Sequence, residues 1–126
     1  MEGIKMEVLH QEHLEWLNKL DFYKDDIAIL KRRIEEVAAK NTGHDVMAMI
    51  EHFQNQLIIQ RNELDEFRHA IKEHENELEA AVKSNPTATN RQRLSDDPML
   101  RTRMERYETI FNELRMELYR FLSKSL

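Results

Sequence analysis

The sequence predicts an all-α fold, an up-down-up antiparallel bundle of three long, coiled-coil-like helices. Apolar residues recur at alternating three- and four-residue steps along three segments, and the alternation typical of a strand is not sustained anywhere. The 126 residues include only 2 Gly and 2 Pro, too few for the turns of a fold with many short strands. Because this length fits one domain, we expect residues 1–126 to form a single helical bundle.

The first helix is predicted over about residues 4–40. Apolar residues spaced in this way over several heptads form a stripe along one side of a helix. Such a stripe must pack against other helices. Asn41 or Gly43 can take the left-handed conformation that ends a helix, so we expect the helix to stop here. Its stripe consists of Leu9, His13, Trp16, Leu20, Tyr23, Ile27, Leu30, Ile34 and Val37.

The second helix is predicted over about residues 44–83, with Thr42 able to cap its free amides. The connection at 41–43 is short, so the first two helices must be antiparallel neighbours. The stripe of the second helix consists of Val46, Ile50, Phe53, Leu57, Gln60, Leu64, Phe67, Ile71, His74, Leu78 and Ala81. Gln60 is a polar member that we interpret as a device fixing helix register.

The third helix is predicted over about residues 97–124, after a loop at 84–96. Asp97 before Pro98 is a good helix start, because proline at the first helical position loses no needed N–H group. The loop most simply turns the chain back along the second helix. The third stripe consists of Leu100, Met104, Tyr107, Phe111, Leu114, Leu118 and Phe121.

Counting residues around the two connections predicts an overhang at the Gly43 end. On this count, position 107 of the third helix lies level with position 74 of the second, and position 121 lies level with position 60. The third helix therefore ends about four helical turns before the connection at 41–43. Large apolar side chains left exposed there would mark an interface, and we expect a homodimer about a twofold axis. The predicted interface consists of Ile27, Ile29, Leu30, Ile34, Val46, Met47, Met49, Ile50 and Phe53. The alternative is that the 84–96 loop climbs and the third helix covers the hairpin end.

Two histidines in the stripes, His13 and His74, are predicted to lie near one level, with Tyr107 close by. We interpret them as a hydrogen-bonded polar layer that fixes register. The alternative is a metal-binding bundle, since Glu-x-x-His spacing places a carboxylate and an imidazole on one helical face. The candidate ligands are His13, His74, Glu77, Glu7 and His10.

The remaining composition narrows the classes of function. The net charge of −5 argues against non-specific nucleic-acid binding, although the arginines of the Arg91–Arg106 region keep an anion or RNA contact as a remote alternative. The chain has no Cys, and its serines lie in the predicted loop or at the end of the chain, away from any nucleophile motif. We therefore predict a non-enzymatic structural or protein–protein interaction module, cytoplasmic, without cofactor or membrane span.

Overall fold

A computed structural model describes residues 6–41, 43–84 and 97–125 of the chain. Three helices make up nearly all of this part: α1 (Met6–Lys40), α2 (His44–Ser84) and α3 (Asp97–Ser125). They form the predicted all-α three-helix bundle, without strands in the described ranges. None of these helices combines the length and apolar character needed to cross a membrane.

Hydrogen bonds to and from the residues on either side of Thr42 mark the end of α1 and the start of α2. Both the backbone N–H and the side-chain amide of Asn41 donate to the carbonyl of Val37, at 3.0 and 2.9 Å. The carbonyl of Gly43 accepts the first bond of α2, from the N–H of Met47 at 3.0 Å. No residue in the described ranges has a positive φ, so the left-handed cap predicted at Asn41 or Gly43 was wrong. The predicted cap Thr42 lies outside the described residues.

The three stripes face one another and make a continuous core. Its members run from Trp16 on α1 to Leu122 at the end of α3. Aromatic rings fill the middle, where Phe111 lies 4.9 Å from the ring of Tyr23 and stacks on Tyr107. Burying side chains of this size supplies about 1.5–3 kcal/mol each, which explains why the stripe pattern decides the architecture.

Ion pairs on the flanks of the stripes show how α1 and α2 align. Lys24 pairs with Asp65 at 3.2 Å, and Arg68 pairs with Asp21. Each pair joins residues on opposite sides of the turn, as an antiparallel hairpin requires. Exposed pairs of this kind contribute little stability individually, so they record the alignment that the core imposes.

The register of α3 differs from the predicted one. Tyr107 donates a hydrogen bond to the backbone carbonyl of Gln60, and the ring of Phe121 lies 5.3 Å from that of Phe53. The side-chain amide of Asn41 reaches the carbonyl of Ser125 at 3.4 Å. The helix therefore lies about two to four turns closer to the Gly43 end than counting predicted.

The predicted overhang was consequently wrong, and the alternative in which α3 covers the hairpin end is the one observed. The length of the connection explains the error, because the dozen residues between α2 and α3 can span about 40 Å and leave the register free. The position of α3 is set instead by burial of its own stripe, including Leu122, which simple stripe counting did not include.

Most of the predicted interface residues are part of this chain's own core. Covered by helices of the same chain are Ile27, Leu30, Ile34, Ile50 and Phe53. Val46 is half-buried against the core, and only Ile29, Met47 and Met49 remain exposed. The apolar surface that argued for a twofold seam is thus much smaller than the sequence suggested.

Candidate functional site

A cluster of three histidines and one glutamate lies where α1 and α2 face each other, near the start of α1. His13 is fully buried and His74 is 7% exposed, with their rings 5.3 Å apart in an edge-on arrangement. Glu75 joins the cluster: its two carboxylate oxygens lie 2.5 Å from Nδ1 of His13 and 2.7 Å from Nδ1 of His10. The ring of Trp16 lies 5.3 Å from that of His13 and closes one side.

The protonation of this cluster follows from its contacts. An ionised carboxylate only accepts hydrogen bonds, so His10 and His13 must each carry a proton on Nδ1 when both bonds are present. Burial acts to raise the pKa of Glu75, but the hydrogen bonds from His13 and His10 oppose it. The net effect holds the pKa of Glu75 below its ordinary value, so the carboxylate is ionised at neutral pH.

The contacts do not assemble the predicted metal ligands. Among the described residues no three histidine or carboxylate side chains are placed to hold a metal ion. Glu75, which is not among the predicted ligands, lies at hydrogen-bond distance from Nδ1 of both His10 and His13. The chemistry of the cluster is that of a hydrogen-bonded layer, buried at His13 and His74 and open to solvent at His10, which interrupts the apolar core between Trp16 and Leu9.

Tyr107 belongs to a second polar layer, several turns from the histidines. Its hydroxyl donates to the backbone carbonyl of Gln60 at 3.1 Å, and its ring lies 6.0 Å from that of Tyr23. Tyr23 donates to the carboxylate of Glu108 at 2.7 Å. Burial raises the pKa of both tyrosines above the ordinary value, so both hydroxyls remain donors at neutral pH. The prediction that Tyr107 joins His13 and His74 was wrong, because it depended on the incorrect register of α3.

The arginines of α3 are partly used by the fold itself. The guanidinium of Arg101 makes a bidentate contact with Glu12 on α1, at 2.9 and 3.0 Å, and Arg103 lies over the ring of Phe67. Arg106 is exposed. Arg91 and Arg93, also named in the prediction of an anion or RNA contact, lie outside the described residues. Arg101 therefore serves a contact within the fold, whereas Arg103 and Arg106 line one recess between α2 and α3.

Two consecutive isoleucines stand out on the outer surface of α2. Ile58 is 57% exposed and Ile59 is 49% exposed, although the neighbouring Leu57 and Gln60 are buried in the core. A β-branched side chain adds nothing to an exposed helix that alanine or lysine would not supply better. Other large apolar side chains are exposed to a similar degree, such as Phe22 at 58%, but among the described residues only these two are consecutive in sequence.

The two isoleucines line different grooves. Ile59 lines a recess of about 460 Å³ between α2 and α3, with Ile110 and Arg106. Ile58 lines a larger recess of about 600 Å³ between α1 and α2, on the side away from α3; we call it the α1–α2 groove. Its walls consist of Lys24, Asp25, Ile27, Ala28, Lys31, Arg32, Glu35, Gln54, Leu57, Ile58 and Arg61.

Sequence reasoning missed both Glu75 and the α1–α2 groove. Glu75 directly follows the stripe residue His74, on the flank that faces α1, and comparison of the flanking positions across the hairpin would have placed it opposite His10. The groove could have been found from Ile58, an apolar residue outside the stripe and beside basic residues.

Comparison with family models, with curated proteins and with solved structures found no match. The function must therefore be argued from the chain itself.

Proposed function

We propose that this chain is a non-enzymatic interaction module of the cytoplasm, a three-helix bundle that presents the outer surface of α2 to a partner protein. The observation that carries the proposal is the pair of exposed isoleucines, Ile58 and Ile59. Exposed apolar side chains that adjoin open grooves are typical of protein-binding surfaces, because a partner removes them from water. The bundle's own core is complete without them.

Photo-crosslinking in the native host tests this proposal. A benzophenone amino acid replaces Ile58 or Ile59 in turn, and matched controls carry it at the exposed positions Asn55 and Asn62 of the same helix. We expect discrete adducts from positions 58 and 59 and none from the controls. Equal labelling at all four positions, or no adduct at any, would contradict an interaction surface here.

Homodimerisation through the Gly43 end is a second candidate. Met47 and Met49 support it, since they remain 37% and 41% exposed beside the turn and methionine packs well in adaptable interfaces. The overhang no longer supports it. Sedimentation equilibrium at micromolar concentration tests it: a species of twice the 15.2 kDa chain mass, lost on Met47→Gln with Met49→Gln, is the result expected of a dimer.

A further inference from the structure

We propose that the α1–α2 groove accepts an amphipathic helix of another protein whose flanks carry Asp and Glu, so that the bundle gains a fourth helix. This inference rests on the proposed interaction function and names the kind of partner. Its basis is the shape of the groove and the sign of the charges along its walls.

The groove has the form of a seat for a helix. Its floor is apolar, formed by Ile27 and Leu57, with Ala28 and Ile58 on the two sides. Its α1 wall runs from Lys24 to Glu35, a length of about 18 Å or three helical turns. A partner helix of three to four turns would place two or three apolar residues on this floor.

Most of the charges beside the floor are basic. Lys24, Lys31, Glu35 and Arg61 directly follow residues of the stripes, so three of the four charged side chains that flank the groove most closely are basic. In helical bundles these flanking positions form the salt bridges that select a partner helix. The acidic Asp25 and the basic Arg32 lie one position farther around α1, so the groove lining as a whole carries four basic and two acidic side chains.

Three of the four basic residues in the lining are also available for a partner. Lys24 is paired with Asp65, but within the described residues no carboxylate lies at ion-pair distance from Lys31, Arg32 or Arg61. This local excess of positive charge contrasts with a chain whose net charge is −5. Carboxylates on an incoming helix would therefore find cations without internal partners, next to apolar side chains that its stripe would cover.

Fluorescence anisotropy with two designed peptides tests the inference. Each peptide has about 15 residues, with leucines at three- and four-residue steps; the flanking residues are Glu in one and Lys in the other. We expect the Glu peptide to bind at least about tenfold more tightly than the Lys peptide, and its affinity to fall between about 20 and about 300 mM NaCl.

Substitutions in the groove complete the test. Ile58→Glu should weaken binding of the Glu peptide at least about tenfold, whereas the neighbouring Ile59→Glu, on the α2–α3 side, should leave it unchanged. The double variant Lys31→Glu with Arg61→Glu should reverse the preference between the two peptides. All these side chains are exposed, and circular dichroism confirms that each variant keeps its helices.

Three outcomes would overturn the inference: equal binding of the two peptides, no effect of the charge reversal, or tighter binding of a single-stranded RNA than of the Glu peptide. These outcomes are distinguishable from failure of the interaction function itself. Adducts at Ile58 or Ile59 in the native host would support the interaction function. If the Glu peptide nevertheless did not bind, only the acidic helix would be rejected as the partner.

Discussion

At the scale of single residues, Glu75 holds together a polar layer inside an otherwise apolar hairpin. It accepts a hydrogen bond from the fully buried His13 and another from His10. A buried N–H group that loses its acceptor costs about 1–3 kcal/mol, so the carboxylate contributes to stability as well as to register. The layer illustrates how a carboxylate at the rim of the helix interface allows the buried imidazole of His13 to lie inside it.

Glu75→Gln is expected to lower the free energy of unfolding at neutral pH by about 1–2 kcal/mol. Glutamine keeps the size but offers one accepting oxygen in place of two. Because the folded state holds the pKa of Glu75 below its ordinary value of 4.5, the wild-type contribution is present above that pH and is lost as the pH falls through the lowered pKa. The stability difference should therefore shrink in acid.

Urea unfolding of both proteins at several pH values measures this difference. Glu79→Gln is the matched control, since Glu79 lies on the same helix and is paired with Lys83 on the exposed surface. The control should change stability by less than about 0.5 kcal/mol at any pH. A gap between wild type and Glu75→Gln that widens towards low pH would contradict the proposed role.

At the scale of helices and turns, the residue types at the turn predicted where α1 stops but not how. Asn41 ends α1 through its side-chain amide, and Gly43 begins α2 without a positive φ. Glycine is therefore not required here for its conformational freedom. A Cβ at Gly43 would meet nothing within 4 Å, which leaves this position open to substitution.

Gly43→Ser is expected to stabilise the bundle by about 0.5–1 kcal/mol. The hydroxyl can accept from a free N–H at the start of α2, and a residue with a Cβ restricts the unfolded chain. Thermal unfolding measures the effect as a rise in Tm. Gly43→Ala isolates the second contribution, because it lacks the acceptor, and should give a smaller change; destabilisation by both variants would indicate strain at the turn.

The register of α3 could not be predicted from the sequence, for a physical reason. A short connection forces two helices to align, so the pairing of α1 with α2 followed from the position of the turn. A long connection imposes no such alignment, and the register of α3 depends on side-chain fit, such as that between Phe121 and Phe53. Two predictions that required this register, Tyr107 beside the histidines and the uncovered Gly43 end, were therefore both wrong.

Removal of residues 119–126 is expected to expose the Gly43 end and lower the free energy of unfolding by about 2–5 kcal/mol, because Phe121 and Leu122 leave the core. Hydrogen exchange should increase around Phe53 relative to the wild-type chain. The control is Ser123→Ala with Lys124→Ala, two exposed positions on the same turn of the helix. Unchanged exchange around Phe53 in the truncated chain would contradict the observed position of α3.

At the scale of the whole molecule, one continuous core joins all three helices. It extends from Trp16 to Leu122, and Leu9 and Leu78 are buried beyond the histidine layer at the other end. A core closed within a single chain does not need a partner to fold. Exposed residues such as Ile58 are then free to serve binding, so stability and interaction depend on different side chains.

The last prediction follows from this closure: urea unfolding should be a single transition whose midpoint does not depend on protein concentration. Trp16, the one tryptophan, reports on the histidine end, and far-ultraviolet circular dichroism reports on all three helices. Cooperative loss of a shared core makes the two signals coincide at about 1 and at about 50 µM protein. An earlier tryptophan transition would show that the polar layer divides the bundle into separately unfolding parts. A midpoint that rises with concentration would instead favour the homodimer, because a partner that binds only the folded chain stabilises it by mass action.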